Sequence, residues 1–446
     1  MKNRGINMKE TYFRIESERL IQFIEKSPSC FHVVSNTAEE LKAHDFVELH
    51  ETEKWNLVPG GKYFVTRNSS SVIAFVLPQE GLKAYQLICS HTDSPTFKVK
   101  EQPELTGDKK YTKLNVEKYG GMLMAPWFDR PLSVAGRVMV LTERGIEQKL
   151  VHVDRDLLII PNVAIHMNRG VNDGFKYNEQ IDLCPVFGDA DAKGKFTSVI
   201  AEAAEVNEEQ ILGMDLFLYN RQKGTILGAN EEYVASPRLD DLQCLYASLQ
   251  GFLAAEPKEN AAVFCAFDNE ETGSTSRQGA ASTFLKDTLR RIHMALGKTE
   301  EEYLAAIAGS FMISADNAHA VHPNHQELAD PVNRPQMNGG IVIKYNANQK
   351  YTTDAVSTSV FKCICDRVNV PYQVFTNRSD MAGGSTLGNI SNTQVSLRAV
   401  DIGLPQLAMH SPYEMTGVKD TWYFVQVAKE FYSAQIEFAA DGGIRL

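Results

Sequence analysis

Two stretches of this chain, residues 84–90 (Ala-Tyr-Gln-Leu-Ile-Cys-Ser) and Ala261–Phe267 (Ala-Ala-Val-Phe-Cys-Ala-Phe), are apolar at nearly every position and then stop at histidine or carboxylate. Alternation of apolar and polar residues marks a strand with one wet face. A continuous apolar run of this length marks a strand covered on both faces, as in the middle of an α/β sheet. The surrounding pattern agrees. Helical spacing is found over 12–26, where Phe13, Leu20, Ile21, Phe23 and Ile24 fall on one side, and over 37–44. Short β-like runs follow at 62–66 and 71–77. Later, helices at 239–254, 279–295, 357–368 and 421–439 alternate with strands at 261–267, 310–314 and 394–399. Strands alternating with helices imply a mostly parallel sheet.

Between about Lys98 and Pro237 the texture changes to short β-like stretches, such as 138–141, 157–160 and 216–219, with turn signals including Asn172-Asp173-Gly174. At 446 residues the chain exceeds one ordinary domain on a prior of roughly 100–200 residues each. The expected organisation is an α/β domain from residues 1–97 plus 237–446, interrupted by an inserted β-rich domain at 98–236. No internal repeat or low-complexity segment interrupts this pattern.

Composition narrows the partners. A net charge of −11 argues against nucleic acid or an anionic membrane surface. No run of about 18 apolar residues suggests a membrane span, and the stretch from Met1 to Arg19 is polar, without the apolar core of a signal peptide. The seven cysteines are odd in number and mostly sit in apolar runs, which fits buried free thiols in the cytoplasm. Cys363 and Cys365 lack the further nearby ligands that a thiolate zinc site needs.

Polar clusters follow the apolar strands directly. The first strand ends in His91-Thr92-Asp93 and the next in Asp268-Asn269-Glu270-Glu271. Residues 311–314 run into Ala315-Asp316, and 407–409 into His410, while Arg238-Leu239-Asp240-Asp241 opens a helix. Working groups in open α/β sheets gather at the carboxyl ends of strands. Taken singly, each residue is more often a turn, a cap or a solvated face; their convergence points to a metal site. Imidazole and carboxylate without thiolate suit zinc, manganese or cobalt. One arrangement puts His91 on one ion and His410 on another, with Asp240 bridging and Glu271 and Asp316 completing one ion each. Two ions about 3.5–4 Å apart can activate water and stabilise an oxyanion. Asp93 is placed to accept the second ring N–H of His91. Glu270 and Glu271 are adjacent and point to opposite sides in an extended segment. One serves as ligand and the other as general base; Glu270 is the choice for the base, with the exchange of the two roles left open.

These clusters, taken together, resemble the aspartyl aminopeptidase family of metallopeptidases. The matching stretches are Ser90-His-Thr-Asp-Ser-Pro95, Tyr119-Gly-Gly, Trp127-Phe-Asp-Arg-Pro-Leu132, Ile165-His-Met-Asn-Arg169, Ser236-Pro-Arg-Leu-Asp240, Phe267-Asp-Asn-Glu-Glu271, Ser314-Ala-Asp-Asn-Ala-His-Ala-Val-His-Pro323 and Gln406-Leu-Ala-Met-His410. They keep the family's order from about residue 15 to the end. The resemblance implies a zinc exopeptidase-like α/β catalytic domain and an inserted β-rich dimerisation domain, with dimers assembling into a tetrahedral dodecamer. It implies metal ligands His91, Asp240, Glu271, Asp316 and His410, with Asp240 bridging and Glu270 as base. It further implies that His166 reaches a neighbouring subunit's active site, and that Lys344 pairs with an acidic substrate side chain. Without the resemblance, His166 reads as an ordinary histidine of a β domain and Lys344 as a surface lysine.

His319 and His322 read as pocket or structural residues. Met381-Ala-Gly-Gly-Ser-Thr386 lacks the lysine of a phosphate loop and reads as an active-site loop. Two departures from the family pattern flank the metal site: Asp241 where Asn is expected, and Thr272 where a small apolar residue is commoner.

The expected activity is removal of N-terminal Asp or Glu from peptides by a water activated at two divalent ions. Zinc is the default; manganese and cobalt suit the same ligands. The alternatives are the same chemistry on neutral or apolar N-terminal residues, and a metal-binding assembly or cargo protein without turnover.

Overall fold

The computed structural model describes residues 8–105 and 109–446. The first seven residues of the polar N-terminal stretch lie outside the described residues. The chain opens with helices α1 (Met8–Lys26) and α2 (Cys30–Ala43), then strands β1 (Val47–Leu49), β2 (Lys62–Arg67), β3 (Ser71–Val76) and β4 (Tyr85–His91). Next come β5 (Thr96–Leu105), β6 (Tyr111–Tyr119), β7 (Leu132–Thr142), β8 (Gly145–His152), the short α3 (Glu179–Asp182), β9 (Val186–Asp189), α4 (Phe196–Ala204) and β10 (Ile211–Asn220). The remainder runs β11 (Thr225–Leu227), β12 (Tyr233–Ser236), α5 (Leu239–Leu253), β13 (Ala261–Phe267), α6 (Phe284–Ala295), α7 (Glu300–Ala308), β14 (Phe311–Ala315) and β15 (Ala318–His319). It continues with β16 (Ile341–Tyr345), α8 (Ala355–Arg367), β17 (Tyr372–Thr376), α9 (Leu387–Ser391), β18 (Arg398–Gly403), β19 (Pro405–Leu407), β20 (Glu414–Gly417) and α10 (Asp420–Ser433).

Nine strands form one mixed sheet in the order β1-β2-β3-β13-β4-β14-β18-β16-β17. Its centre, β13-β4-β14-β18, is parallel throughout, while β2/β3, β3/β13 and β16/β18 are antiparallel. The apolar runs occupy that centre because both faces are covered. In β13, Ala262, Phe264 and Ala266 pack into one core with α1, α2, α5, α8 and α10. The alternate residues Ala261, Val263, Cys265 and Phe267 pack into another with α6, α7 and α9. A strand with period-two side chains between two helical layers needs apolar residues at every position.

The β5–β10 strands, a continuous stretch of chain, form a second sheet in the order β8-β7-β10-β5-β6-β9, antiparallel throughout. It has its own core around Phe97, Trp127, Val134 and Phe196. A third sheet, β11-β12-β20-β19-β15, stitches the return from this stretch to the C-terminal part. No helix of the described residues is long and apolar enough to cross a membrane.

Four sequence expectations shift. Residues 157–160 make isolated bridges at Leu158 and Ile159 and not a strand. The helix expected from 279 begins at Phe284, and the last long helix stops at Ser433, before the short pairing of Glu437–Phe438 with Ile444–Arg445. The strand expected at 394–399 is instead Arg398–Gly403, with Asp401 fully buried inside it. A buried carboxylate is costly unless hydrogen-bonded. Here Thr352 Oγ1 and Thr386 Oγ1 donate to its oxygens at 2.6 and 2.5 Å. Those donors are distant in sequence, so local pattern reads Asp401 as a strand terminator.

Candidate metal centre

The parallel register sets the site. Phe267 of β13 stands beside His91 of β4, and Ser314 of β14 beside Cys89. The three strands therefore deliver His91, the turn Glu270–Thr272 and Asp316 to the same edge. Asp240 enters from the start of α5, where Asp240 and Asp241 depart from helical backbone angles. His410 enters from the turn between β19 and β20, with its φ at +66°.

Asp240 lies between the two imidazoles. Its Oδ1 is 3.3 Å from His91 Nε2, and its Oδ2 is 3.3 Å from His410 Nε2. Asp316 Oδ1 stands 3.8 Å from His91 Nε2, and Glu271 Oε2 stands 3.4 Å from His410 Nε2. Donors about 2.0–2.2 Å from a tetrahedral zinc stand about 3.4 Å from one another, so these spacings suit ligands of a shared cation. The donors divide into overlapping groups: His91, Asp240, Asp241 and Asp316; His91, Glu270 and Glu271; and Asp240, Glu271 and His410. Asp240 Oδ1 and Glu271 Oε1 are buried without a hydrogen-bond partner. Such orphaned acceptors fit positions where a cation binds. Two of these groups share Asp240, one joining it to His91, Asp241 and Asp316 and the other to Glu271 and His410.

The electrostatics fit the same reading. Burial pushes the Glu270 carboxyl up to about 8, while His91 pulls it down. Burial also raises Glu271 well above its ordinary value, reinforced by Asp240. For His91, burial opposes the charge, but contacts to Asp240, Asp316 and Asp93 raise its pKa well above the usual range. His410 is also raised: burial opposes its charge, and Asp240 outweighs that. Crowded carboxylates thus draw positive charge, and protons on the imidazoles supply it where a cation does not.

Asp93 does something other than expected. The His91 Nδ1 hydrogen bond runs to the Asp93 backbone carbonyl, at 3.1 Å, with the carboxylate 3.4 Å away. The Asp93 carboxylate instead accepts the Tyr119 hydroxyl at 2.7 Å and the backbone N–H groups of Glu270 and Glu271 at 3.1 and 3.2 Å. It shapes the glutamate turn as well as flanking the ring.

A cavity of about 340 Å³ opens on the cluster and is lined by Asp240, Glu270, Asp316 and His410 together with His319, Lys344, Tyr351 and Phe375. Lys344 is 3 % exposed. Its Nζ donates to the Asn317 carbonyl at 3.1 Å and lies 3.7 Å from Asp316 Oδ2. Burial opposes its charge, but Asp316, Tyr351 and Asp401 hold its pKa above the usual lysine value. Gly384, Ser385 and Thr386 of the glycine-rich stretch also line this cavity. His322 is exposed, and its Nδ1 accepts the Asn324 N–H. His166 is exposed on a turn closed by the N–H groups of Met167 and Asn168 on Ala164, and does not line the cavity in this chain. Cys363 and Cys365 join no ligand group among the described residues. Glu414 escaped the sequence reading. Its sole sequence signal is its position four residues after His410, yet its carboxylate accepts N–H groups from both Asp240 and His410.

Comparison with known proteins gives one consistent result. Residues 23–432 match the family model described as aminopeptidase I zinc metalloprotease (M18). A probable M18 family aminopeptidase 2 of Clostridium novyi (strain NT) is 46 % identical over 425 residues, covering 94 % of this chain and 98 % of the relative. Among solved structures, a chain in the cryo-EM structure of the Ape4 and Nbr1 complex superposes with a TM-score of 0.92 at 36 % identity, over 97 % of this chain and 87 % of that one. A chain of the S. cerevisiae mApe1 dodecamer superposes with a TM-score of 0.83 at 29 % identity, over 95 % of this chain and 97 % of that one.

Cation binding to this cluster has to displace protons from the imidazoles and from the Glu271 carboxyl. Zinc added to metal-free protein is therefore expected to release protons, and its apparent affinity to rise with pH until the histidines are neutral in the metal-free state. Calorimetric titration in buffers of different ionisation enthalpy checks this. At free zinc near 1,000 times the Kd of a site, the thermal midpoint should rise by the equivalent of about 4 kcal/mol for each ion bound, and a chelator should reverse the gain.

Proposed function

The chain belongs to the aminopeptidase I zinc metalloprotease family (M18), and on that premise we propose that it removes single N-terminal residues, Asp or Glu by preference, through water attack at a two-metal centre. It is a hydrolase acting on peptides. The observation that carries the reading is the pair of 3.3 Å approaches of Asp240 to His91 and His410.

In this reading His91, Asp316, His410 and Glu271 would hold two divalent ions, zinc by default with manganese or cobalt as substitutes, with Asp240 as the donor shared between the two positions. When bound, the ions polarise the scissile carbonyl and acidify the attacking water. Glu270 lines the same cavity without being needed as a ligand. Its carboxylate takes the proton of the attacking water and returns it to the leaving amine. Glu270 is half-buried, and its backbone N–H is held by the Asp93 carboxylate.

Lys344 places a buried positive charge on the cavity wall, a charge-assisted partner for an acidic side chain. A second reading has its own support. The Lys344 ammonium is already engaged by Asn317 and Asp316, and Tyr351, Phe375 and Met409 supply apolar wall, which suits neutral or apolar N-terminal residues.

Residues 98–236 are assigned as an inserted dimerisation domain, the rest as the catalytic domain. Assembly beyond the dimer, to a tetrahedral dodecamer, is supported by the similarity to the mApe1 dodecamer. Val163, Ile165 and Met167 surround His166 and are 52 %, 48 % and 77 % exposed. An apolar surface of this kind suits cover by a second copy, with His166 carried to that copy's site. Seven free cysteines fit a cytoplasmic setting.

Glu270→Gln should keep both ions and lower turnover by about 100- to 10,000-fold; wild-type turnover in that variant would remove Glu270 from its role. On a panel of N-terminal residues with a common reporter, Lys344→Met should lower cleavage of Asp and Glu about 10- to 100-fold and spare Leu. An equal loss on all residues would leave Lys344 a structural part of the cluster. Mixed assemblies of His166→Ala and Glu270→Gln subunits should regain activity that neither variant has alone. Failure to regain it in assemblies of normal size would place His166 outside the site.

A further inference from the structure

The backbone N–H groups around the cluster are held largely by carboxylates outside the proposed ligand set. His91 N–H donates to Asp241 Oδ2 at 3.1 Å. The Glu270 and Glu271 N–H groups donate to the two oxygens of Asp93. Asp240 N–H donates to Glu414 Oε2 at 3.0 Å, and His410 N–H to Glu414 Oε1 at 2.8 Å. Asp316 is the exception, with its N–H on the Ile402 carbonyl at 3.1 Å.

Glu414 differs from the other two in what it joins. It is the first residue of β20, 2 % exposed, and one carboxylate fastens two ligand residues that arrive on separate elements. His410 needs such a tie. Both His410 and Ala408 have left-handed backbone, with φ at +66° and +56°. A residue with a Cβ holds that conformation only where its surroundings over-determine it. The His410 carbonyl accepts Leu123 N–H at 3.1 Å, and its N–H is taken by Glu414. His91, by contrast, ends a strand in register with β13, and Asp316 directly follows one. Their backbones have ladder support that His410 lacks.

We infer that Glu414 is a positioning residue that sets Asp240 and His410 relative to each other, and so governs occupancy of the His410–Glu271 metal position more than the His91–Asp316 position. The inference rests on the two-metal reading above. Its chemistry can be dissected with amide isosteres. Both Glu414 oxygens accept a backbone N–H, so Glu414→Gln turns an NH₂ group toward one of those donors. Asp241 accepts from His91 through Oδ2, while its Oδ1 has no partner. Asp241→Asn therefore removes one ionisable carboxyl from the same centre and can keep its acceptor.

Wild type, Glu414→Gln and Asp241→Asn are stripped with chelator, checked by circular dichroism, and titrated with zinc, with bound ions counted by atomic emission. Wild type and Asp241→Asn are expected to take two ions per chain. Glu414→Gln should take one with near wild-type affinity and bind the second about 10- to 100-fold more weakly. Two ions of unchanged affinity in Glu414→Gln would overturn the role of Glu414 and leave the metal centre standing. Equal losses in both variants would overturn it too, since charge alone would then explain the effect. A wild type that takes up no zinc would sink the metal centre and the inference with it. Should Glu414→Gln fail to fold, deuterium exchange of the metal-free wild type decides. Slow exchange at the amides of Asp240 and His410 supports the tie, and exchange at the rate of open chain overturns it.

Discussion

Asp240 stands 3.3 Å from imidazoles that come from opposite halves of the chain, and this contact constrains everything around it. A carboxylate with 3 % side-chain exposure is unfavourable without compensating charge. Here Glu271, Asp316 and Glu270 crowd the same space, and burial pushes both glutamate carboxyls up, so negative charge is costly in this cluster. Protonated imidazoles offset part of it. Divalent cations would offset more, and Asp240 Oδ1 and Glu271 Oε1, left without hydrogen-bond partners, are open to them. Cation binding and local structure are therefore one equilibrium.

Order in this cluster is imposed from behind. Asp93, Asp241 and Glu414 hold the backbone N–H groups of Glu270, Glu271, His91, Asp240 and His410. A backbone donor fixed on a buried carboxylate leaves the ligand side chain fewer ways to turn. That arrangement prepares the donors for ions before they bind, which lowers the ordering cost of binding. Lys344 enters the same balance. Its ammonium offsets Asp316 within the cluster and at the same time lines the cavity.

The second sheet bears on this centre through single contacts. Tyr119, the last residue of β6, donates to Asp93, and Leu123 N–H holds the His410 carbonyl. Both lie in or just after the second sheet, so the stretch that departs in texture from the α/β pattern still helps to fix the ligands. Its exposed apolar turn around His166 has no comparable role within one chain.

What the sequence determined by itself was the sheet's centre and the placement of chemistry at its edge. The runs ending at His91 and after Phe267 are apolar throughout because both faces of those strands are buried, and a polar residue at a strand end is conspicuous against such a run. Local pattern therefore exposed His91, Glu270, Glu271, Asp316, Asp240 and His410 as candidates. Tertiary structure alone decided the rest. Which donors share a cation depends on distances between segments far apart in the chain. Asp401 sits inside a strand because distant threonines satisfy it. Glu414 looks like any strand-edge glutamate until the fold brings Asp240 and His410 to its two oxygens. Sequence pattern reports whether a position is buried; it carries no record of which remote donor a buried carboxylate meets, because that is fixed only when the layers pack.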